Sequence, residues 1–376
     1  MSKNFMRGLL AWMALMLAAC WLPVTPATAA QNSGCEPAFA PPAELSKRLS
    51  VVCGVHAPED LEVLDRQHVI VSQTRGLDQQ PGHLSVLDVR SNQISELPRK
   101  RDGGAQWGDA ACLDQGAATE FSPHGIHLSR RSNGARQLLV VNHAGRETIE
   151  FYEVRKARRG FEAAWRGCVQ NDGAGMFNDV AANPQGGFVA TVMFDKTELL
   201  DAKGLPKPGA LTSILSGRDT GYLLAWAPGQ RLRKLANSEA PFNNGVQFSA
   251  DGRQVYFAAW TGKQLRVYDL AVERVVQVTA LDFLPDNLSL GRHGAVIVAG
   301  ITDLAAWQDC AAKRIAFCSS GFNVAAWNPQ SREIVRVFDG PPGLMAGASV
   351  GLQLGRTLYV GSYSGDRILR ITLKHR

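Results

Sequence analysis

Two histidines in this chain lie next to strand-like runs, at a spacing that could support proton transfer. His124 stands between Pro123 and Gly125 in "FSPHGIHL", where an apolar run begins, and His143 follows the run "LLVVN" nineteen residues later. A neutral imidazole accepts a proton near neutral pH, so two imidazoles at neighbouring strand tips could activate a water molecule. Either histidine alone is more often a structural residue. The pair indicates catalysis only if other polar groups converge on it.

Oxygen-bearing side chains also precede four other apolar runs. These pairs are Glu59 and Asp60, Asn178 and Asp179, Asn243 and Asn244, and Asp286 and Asn287. Aspartate and asparagine are common turn residues, so any one pair is typical of a turn. Four pairs in equivalent positions indicate a shared ligand-binding site. Carboxylate and amide oxygens without thiolates bind hard cations, and a shell of about six to eight oxygens favours calcium over magnesium.

The elements that must position these residues are short β-strands. Helical periodicity is nearly absent, and β-rich runs alternate with turns rich in glycine, asparagine, aspartate and proline. Segments 249–270 and 353–373 share one layout, a turn followed by an apolar strand, small residues and a second strand, and segment 133–154 is close to it. This degenerate hairpin repeat predicts an all-β fold, and specifically a β-propeller.

The length of the repeating part sets the number of blades. At about 50 to 60 residues per blade, residues 31–376 form a single domain of six blades, and seven remain possible. Two packed β-sandwiches are an alternative, but the sequence has no linker in mid-chain. In a propeller the inner strands begin at the central channel, so their tips converge on one axial site. We also predict that a strand near Val51 and Val52 pairs with the C-terminal blade and closes the ring.

Residues 1–30 are predicted to be a signal peptide. Lys3 and Arg7 precede the apolar run "LLAWMALMLAAC", which is too short to span a bilayer. "ATAA" before Gln31 suits signal peptidase, whereas "LAAC" ending at Cys20 is typical of a lipoprotein cleavage site, which would leave a lipid anchor. Both interpretations predict an exported protein, periplasmic or secreted, without a transmembrane span.

The charge of the chain argues against nucleic acid as a partner. The formal net charge is +6, and it falls to +4 without Lys3 and Arg7. This charge is mild for a chain of this length, so nucleic-acid binding is not predicted.

The cysteines indicate disulfide bonds. Of the seven cysteines, six remain when Cys20 is lost or lipidated. An even number in an oxidising compartment favours disulfides, and without a CxxC motif neither zinc nor a redox dithiol is indicated. Six cysteines allow fifteen pairings. Proximity along the chain favours Cys35 with Cys53, Cys112 with Cys168, and Cys310 with Cys318.

The ordered motifs resemble those of a known family. From about residue 50 to the C-terminus they are "PEDLEVL", "FSPHGI", "LLVVNH", "NDV", "FNNGV" with "SADGRQVY", and "DNLS". In this order they resemble the paraoxonases, calcium-dependent lactonases and arylesterases with six-bladed propellers. More distantly, they are similar to the gluconolactonase and strictosidine synthase-like propellers. The resemblance implies a hydrolase of lactones, aryl esters or both, acting on a small molecule.

The resemblance also implies roles for individual residues. A catalytic calcium would be bound by Glu59, Asn178, Asn244, Asp286 and Asn287. A second, structural calcium would be bound by Asp60, Asp179 and the backbone carbonyl of Ile126. His124 and His143 would activate water, with Asp286 as an alternative base, and Phe242 would line the substrate pocket.

Two segments depart from the family pattern. Residues 192–195, "VMFD", stand where the family has an Asn-Asp-His stretch, and "AGIT" (299–302) lacks the family's cysteine and histidine. Because both segments are expected at the substrate pocket, the resemblance does not identify the substrate. The competing hypothesis is a non-catalytic propeller with a structural calcium that binds a protein or glycan.

Overall fold

The computed structural model describes Cys35 and residues 43–104, 106–115, 120–199, 201 and 207–373. The predicted signal peptide, Cys20 and both predicted cleavage sites lie outside the described residues. Within the described residues the chain folds into six sheets, antiparallel except for one short parallel strand pair in the second blade, with the strand β1 (Leu49–Cys53) coming first. The sheets are the blades of a β-propeller, so the predicted fold class and the number of blades are confirmed.

The blades follow one another along the chain. Blade 1 contains β2 (Pro58–Val63), β3 (His68–Gln73), β4 (His83–Asp88) and β5 (Gln93–Glu96). Blade 2 contains β6 (Arg99–Lys100), β7 (Pro123–Arg130), β8 (Arg136–Asn142), β9 (Thr148–Lys156) and β10 (Phe161–Gln170). Blade 3 contains β11 (Gly175–Ala182), β12 (Phe188–Asp195), β13 (Tyr222–Trp226) and β14 (Arg233–Lys234).

The C-terminal half has the same organisation. Blade 4 contains β15 (Asn243–Phe248), β16 (Gln254–Ala259), β17 (Gln264–Asp269) and β18 (Arg274–Ala280). Blade 5 contains β19 (Leu284–Leu290), β20 (Val296–Ile301), β21 (Phe322–Trp327) and β22 (Ile334–Gly340). Blade 6 contains β23 (Val350–Leu354), β24 (Thr357–Gly361), β25 (Arg367–Thr372) and, as its outer strand, β1. The three repeat segments of the sequence correspond to β8–β9, β16–β17 and β24–β25.

The ring closes between the two ends of the described chain. β1 pairs antiparallel with β25, with Val51 opposite Leu369 and Val52 opposite Ile368. The predicted closure is therefore confirmed. A disulfide joins Cys35 to Cys53, the last residue of β1.

Burial explains the different sequence patterns of inner and outer strands. β15 is buried at every residue, and accordingly its sequence does not alternate between polar and apolar residues. β18, the outer strand of the same blade, alternates between exposed and half-buried residues, because only one of its faces packs on the protein. The core lies between adjacent blades; Leu139 and Val141 of blade 2, for example, belong to one cluster with Phe188 and Trp226 of blade 3.

The helices are short and lie outside the ladders. They are α1 (Ala43–Ser46), α2 (Ala110–Gln115), α3 (Lys196–Leu199), α4 (Ala210–Leu215), α5 (Leu304–Lys313) and a 3-10 turn at Arg292–Gly294. None of the helices in the described part of the chain is long and apolar enough to cross a membrane. The other two predicted disulfides are present: Cys112–Cys168 joins α2 to β10, and Cys310–Cys318 joins α5 to the segment that follows it.

Candidate active site and metal centre

A β-bulge interrupts the inner strand of five blades near its start at the channel. The residues that the ladders skip are Glu59 in β2, His124 and Gly125 in β7, Asn178 and Asp179 in β11, Asn244 and Gly245 in β15, and Asp286 and Asn287 in β19. A bulge bends the strand and redirects its side chains, which is why bulges are common at active sites. The local backbone thus singles out seven of the eleven residues that the sequence predicted for the site.

Two of the skipped residues are glycines because the inner strands approach one another closely. A Cβ atom on Gly125 would lie 2.3 Å from Oδ1 of Asp179. A Cβ atom on Gly245 would lie 2.5 Å from the backbone oxygen of Asp286. The "HG" and "NG" dipeptides therefore allow neighbouring blades to meet at the channel.

Five side chains at the upper end of the channel carry an oxygen without a partner. We call this group the oxygen ring: Glu59, Asn178, Asn244, Asp286 and Asn287. One side-chain oxygen of each is buried and accepts no hydrogen bond. A buried polar atom without a partner costs about 1–3 kcal/mol, so five together indicate a binding site for a ligand. The sequence predicted this same set as calcium ligands.

The electrostatics of the channel also favour a cation. Five carboxylates of the inner strands and their tips face the channel or its wall: Glu59, Asp60, Glu62, Asp179 and Asp286. Within the described residues none of them pairs with lysine or arginine; Glu59 and Glu62 only face His124 and His127. Burial, followed by Asp286 and Asp60, raises the pKa of Glu59 well above its ordinary value. Burial likewise raises the pKa of Asp286.

Asp60 and Asp179, the lower aspartates, have different surroundings. Asp60 accepts hydrogen bonds from the backbone N–H groups of Leu61 (2.8 Å) and Ile126 (2.7 Å). Asp179 accepts from Val180 (2.7 Å) and Val246 (2.8 Å). Each aspartate thereby connects its own blade to the next one. Their oxygens keep further lone pairs, so the second calcium at Asp60, Asp179 and the Ile126 carbonyl stays a prediction.

The two histidines form a hydrogen-bonded pair, which we call the histidine dyad. Nδ1 of His124 lies 3.2 Å from Nε2 of His143, and Nε2 of His124 lies 3.4 Å from Oε1 of Glu59. The dyad therefore touches the oxygen ring. Burial and the neighbouring His143 lower the pKa of His124 to about 3, while Glu147 and the backbone carbonyl of Asn178 act in the opposite direction. The His124 ring is neutral at pH 7.

A pocket of about 370 Å³ opens above the oxygen ring and the dyad. One side is apolar, lined by Met176, Met193, Phe242, Trp260, Ile301 and Trp307. Phe242 stands 5.1 Å from the Trp260 ring, which in turn stands 4.9 Å from Trp307. Phe242 has a φ of 56°, which is strained for a bulky side chain and typical of functional sites. The departures "VMFD" and "AGIT" contribute Met193 and Ile301 to this wall.

The donor set fits calcium better than a transition metal. The oxygen ring combines two carboxylates with three amides, and hard oxygen donors of this kind suit calcium. Zinc prefers histidine and cysteine. No group of three or more His, Cys, Asp or Glu side chains in the described residues has the arrangement of a metal site.

Comparisons with known proteins agree with this architecture. The family model of the SMP-30/Gluconolactonase/LRE-like region matches residues 77–308, which is more than half of the chain. The chain belongs to this family. The predicted relationship to gluconolactonase-like propellers is thus confirmed, whereas no curated protein matches the chain significantly in sequence.

Solved structures share the fold of this SMP-30/gluconolactonase-like protein. A luciferin-regenerating enzyme superposes with a TM-score of 0.52 at 12% identity, covering 86% of this chain and 94% of its own. A candidate gluconolactonase superposes with a TM-score of 0.51 at 15% identity, covering 87% and 94%. At such low identity these likenesses establish the propeller fold alone.

Sequence reasoning missed two charged residues of this family member. Glu147 Oε1 lies 2.9 Å from Nδ1 of His143, and Lys196 Nζ lies 3.1 Å from Oε2 of Glu147. His143 and Glu147 are close together in the sequence, but the segment that contains them reads as an ordinary turn between two strands. Lys196 comes from another blade, so no local pattern could identify it. Trp307 was missed for the same reason, because α5 lies in the loop between β20 and β21.

Proposed function

We propose that this protein is a calcium-dependent hydrolase of lactones or aryl esters. Its family supports a lactonase-type hydrolase in general. One observation carries the finer proposal: five unpartnered oxygens, supplied by Glu59, Asn178, Asn244, Asp286 and Asn287, lie beside a half-buried histidine dyad, and all of these residues except Asn287 line one pocket. A non-catalytic propeller with a structural metal would not need the dyad next to the metal ligands.

Calcium bound by the oxygen ring would polarise the substrate carbonyl and stabilise the oxyanion that develops on it. The residues of this chain do the remaining work. The neutral ring of His124 takes a proton from the attacking water, and His143 holds the His124 ring in place. Oε1 of Glu59 lies 3.4 Å from Nε2, on the other side of the ring. Asp286 is the alternative base.

The pocket wall favours an apolar substrate over a sugar lactone. Met193, Phe242, Trp260 and Trp307 offer apolar and aromatic surface but few hydrogen-bond partners for hydroxyl groups. Burying an unpaired hydroxyl group is unfavourable, whereas an acyl chain or aryl ring gains free energy on this wall. We therefore expect lactones with an alkyl chain, or aryl esters, to be better substrates than gluconolactone.

We also propose that the protein functions outside the cytoplasm. Its three disulfides support this location, since such bonds persist mainly in oxidising compartments. The sequence of residues 1–30 supports export by a signal peptide, with lipidation at Cys20 as the alternative.

The experiment measures hydrolysis of phenyl acetate, an alkyl δ-lactone and gluconolactone, with calcium and with a calcium chelator. We expect chelation to abolish hydrolysis and added calcium to restore it. His124→Gln should lower kcat by about 10²- to 10⁴-fold, the contribution of a general base. Its calcium-dependent rise in Tm should persist, because His124 is not a proposed ligand.

Two results would contradict the proposal. Hydrolysis that is insensitive to chelation would exclude the calcium mechanism. A folded His124→Gln variant with full kcat would exclude the dyad and leave Asp286 as the base.

A further inference from the structure

Glu147 and its partners form a charged network directly behind the histidine dyad. The carboxylate is buried, with 8% of its surface exposed, near the end of the turn between β8 and β9. Oε1 accepts a hydrogen bond from the backbone N–H of Phe177 (2.8 Å) and faces Nδ1 of His143 (2.9 Å). Oε2 forms an ion pair with Lys196 at 3.1 Å. Three groups from three different segments thus fix this carboxylate.

The carboxylate is ionised in these surroundings. Burial alone would raise the pKa of Glu147, but His143, Lys196 and the Phe177 N–H together hold this pKa below the ordinary value. An ionised carboxylate can only accept hydrogen bonds. Nδ1 of His143 must therefore carry a proton and donate it to Glu147.

The proton on Nδ1 of His143 also determines the tautomer of His124. When Nδ1 of a neutral His143 is protonated, its Nε2 has a lone pair and must accept a hydrogen bond from Nδ1 of His124. A neutral His124 protonated on Nδ1 has its lone pair on Nε2, the nitrogen that faces the oxygen ring. In the opposite polarity, Nδ1 of His143 would direct a lone pair at the Glu147 carboxylate. Repulsion between these groups disfavours that arrangement, whereas Glu59, which faces Nε2 of His124 at 3.4 Å, is proposed to be bound to calcium.

We propose that Glu147, held by Lys196, is a positioning residue that fixes the tautomers of both histidines and leaves Nε2 of His124 free as the base. This inference rests on the proposed function. When Nε2 of His124 takes a proton from water, the Nδ1 proton can pass to Nε2 of His143. The positive charge then lies beside the Glu147 carboxylate, which stabilises it. No bond other than these N–H and O–H bonds changes.

The test uses the full-length protein with isotope-labelled histidine. Proton–nitrogen correlation spectra distinguish the two neutral tautomers, and the signals of the dyad among the eight histidines are assigned with His124→Gln and His143→Gln. Spectra at about pH 8, above the ordinary histidine pKa of about 6.5, should show both dyad rings protonated on Nδ1. Dyad rings protonated on Nε2 in the wild type would overturn the proposal.

Glu147→Leu removes the acceptor. We expect His143 to lose its fixed tautomer and kcat to fall roughly 10- to 100-fold, as for other carboxylates that orient a functional histidine. KM and the calcium-dependent rise in Tm should be unchanged. The matched control is Glu150→Gln, since Glu150 is equally buried in the same hairpin but accepts from Thr148 and Trp165 instead. This control should keep the wild-type tautomers and the kcat of folded protein.

A second variant keeps the proposal testable if Glu147→Leu does not fold. In Glu147→Gln, an amide oxygen at the Oε1 position still accepts from His143, but the amide nitrogen then faces the Lys196 ammonium. Adding Lys196→Met removes this conflict. The double variant should therefore recover the wild-type tautomers and more of the kcat than Glu147→Gln alone.

Unchanged tautomers and an unchanged kcat in folded Glu147→Leu would overturn the inference. A fall in kcat that is equally large in Glu147→Leu and in Glu150→Gln would also overturn it. Failure of the proposed function is a separate result. If the wild type hydrolyses no ester or lactone, the spectra still decide whether Glu147 fixes the dyad.

Discussion

The oxygen ring and the lower aspartates consist of neighbouring residues with opposite surroundings. Glu59 is followed directly by Asp60, and Asn178 by Asp179. The first residue of each pair has a buried oxygen without a partner. The second accepts two backbone N–H groups, one of them from the next blade. The difference shows that two adjacent polar residues can have separate roles. The first residue leaves an oxygen available to a ligand, and the second connects neighbouring blades through hydrogen bonds.

The largest effect is expected from a substitution in the oxygen ring. Asn178→Ala removes one of the five ring oxygens, so we expect loss of hydrolysis and loss of the calcium-dependent rise in Tm. A ligand that binds only the folded state stabilises it by about 2.7 kcal/mol at 100 times its Kd. Activity assays and thermal unfolding, each with calcium and with chelator, measure both effects.

Asn243→Ala is the matched control for this change. Asn243 also has an unpartnered oxygen, but its amide nitrogen donates to the backbone of Ser238 and it does not line the pocket. Its replacement should lower stability without altering the response to calcium. Equal calcium responses in Asn178→Ala and Asn243→Ala would show that the oxygen ring is not the ligand set.

A smaller effect is expected at the lower aspartates. Asp60→Asn keeps one acceptor for two N–H donors, because the amide nitrogen replaces an oxygen. A buried donor without an acceptor costs about 1–3 kcal/mol, so the free energy of unfolding should fall by this amount. If Asp60 only joins the blades, this loss is the same with calcium and with chelator. A variant that binds one calcium fewer per chain, measured by calorimetry, would instead support the second predicted calcium at Asp60.

The remaining prediction concerns pH. Burial raises the pKa of Asp60 to about 7, and those of Glu59 and Asp286 are raised as well. In the unfolded chain these groups have ordinary pKa values of about 4. The folded state therefore binds more protons, and the stability from this binding is complete below about pH 4 and lost as pH rises through about 7.

Bound calcium would take the place of these protons. The Tm measured with chelator should therefore fall between about pH 5 and pH 8, while the Tm with saturating calcium changes less. The stabilisation by calcium should grow over the same interval. A Tm in chelator that rises over this interval would contradict the raised pKa values.

The sequence was sufficient for features that depend on the chain's repeats and on proximity. The hairpin repeat predicted the blades, the apolar strand at Val51 and Val52 predicted the closure, and cysteine proximity predicted the disulfides. It was insufficient where side chains from different blades meet. Lys196 contacts Glu147 only because blades 2 and 3 are adjacent in space. The hydrogen bonds of Asp60 could not be predicted from the sequence either, because they depend on how closely the neighbouring inner strand approaches.

The closure of the ring has a consequence for the order of events during synthesis. β1 emerges among the first residues of the described chain, but its partner β25 is among the last to be made. Until then the edge of β1 stays unpaired, and pairing of such distant segments is intrinsically slow. The oxygen ring depends on the same late step: Ser349 and Asn287 both donate to the backbone oxygen of Glu59, joining the last two blades to the first. A nascent chain or one truncated before β25 therefore lacks the closed ring that holds Glu59 against Ser349 and Asn287, and we expect the proposed cation binding to depend on this last closure.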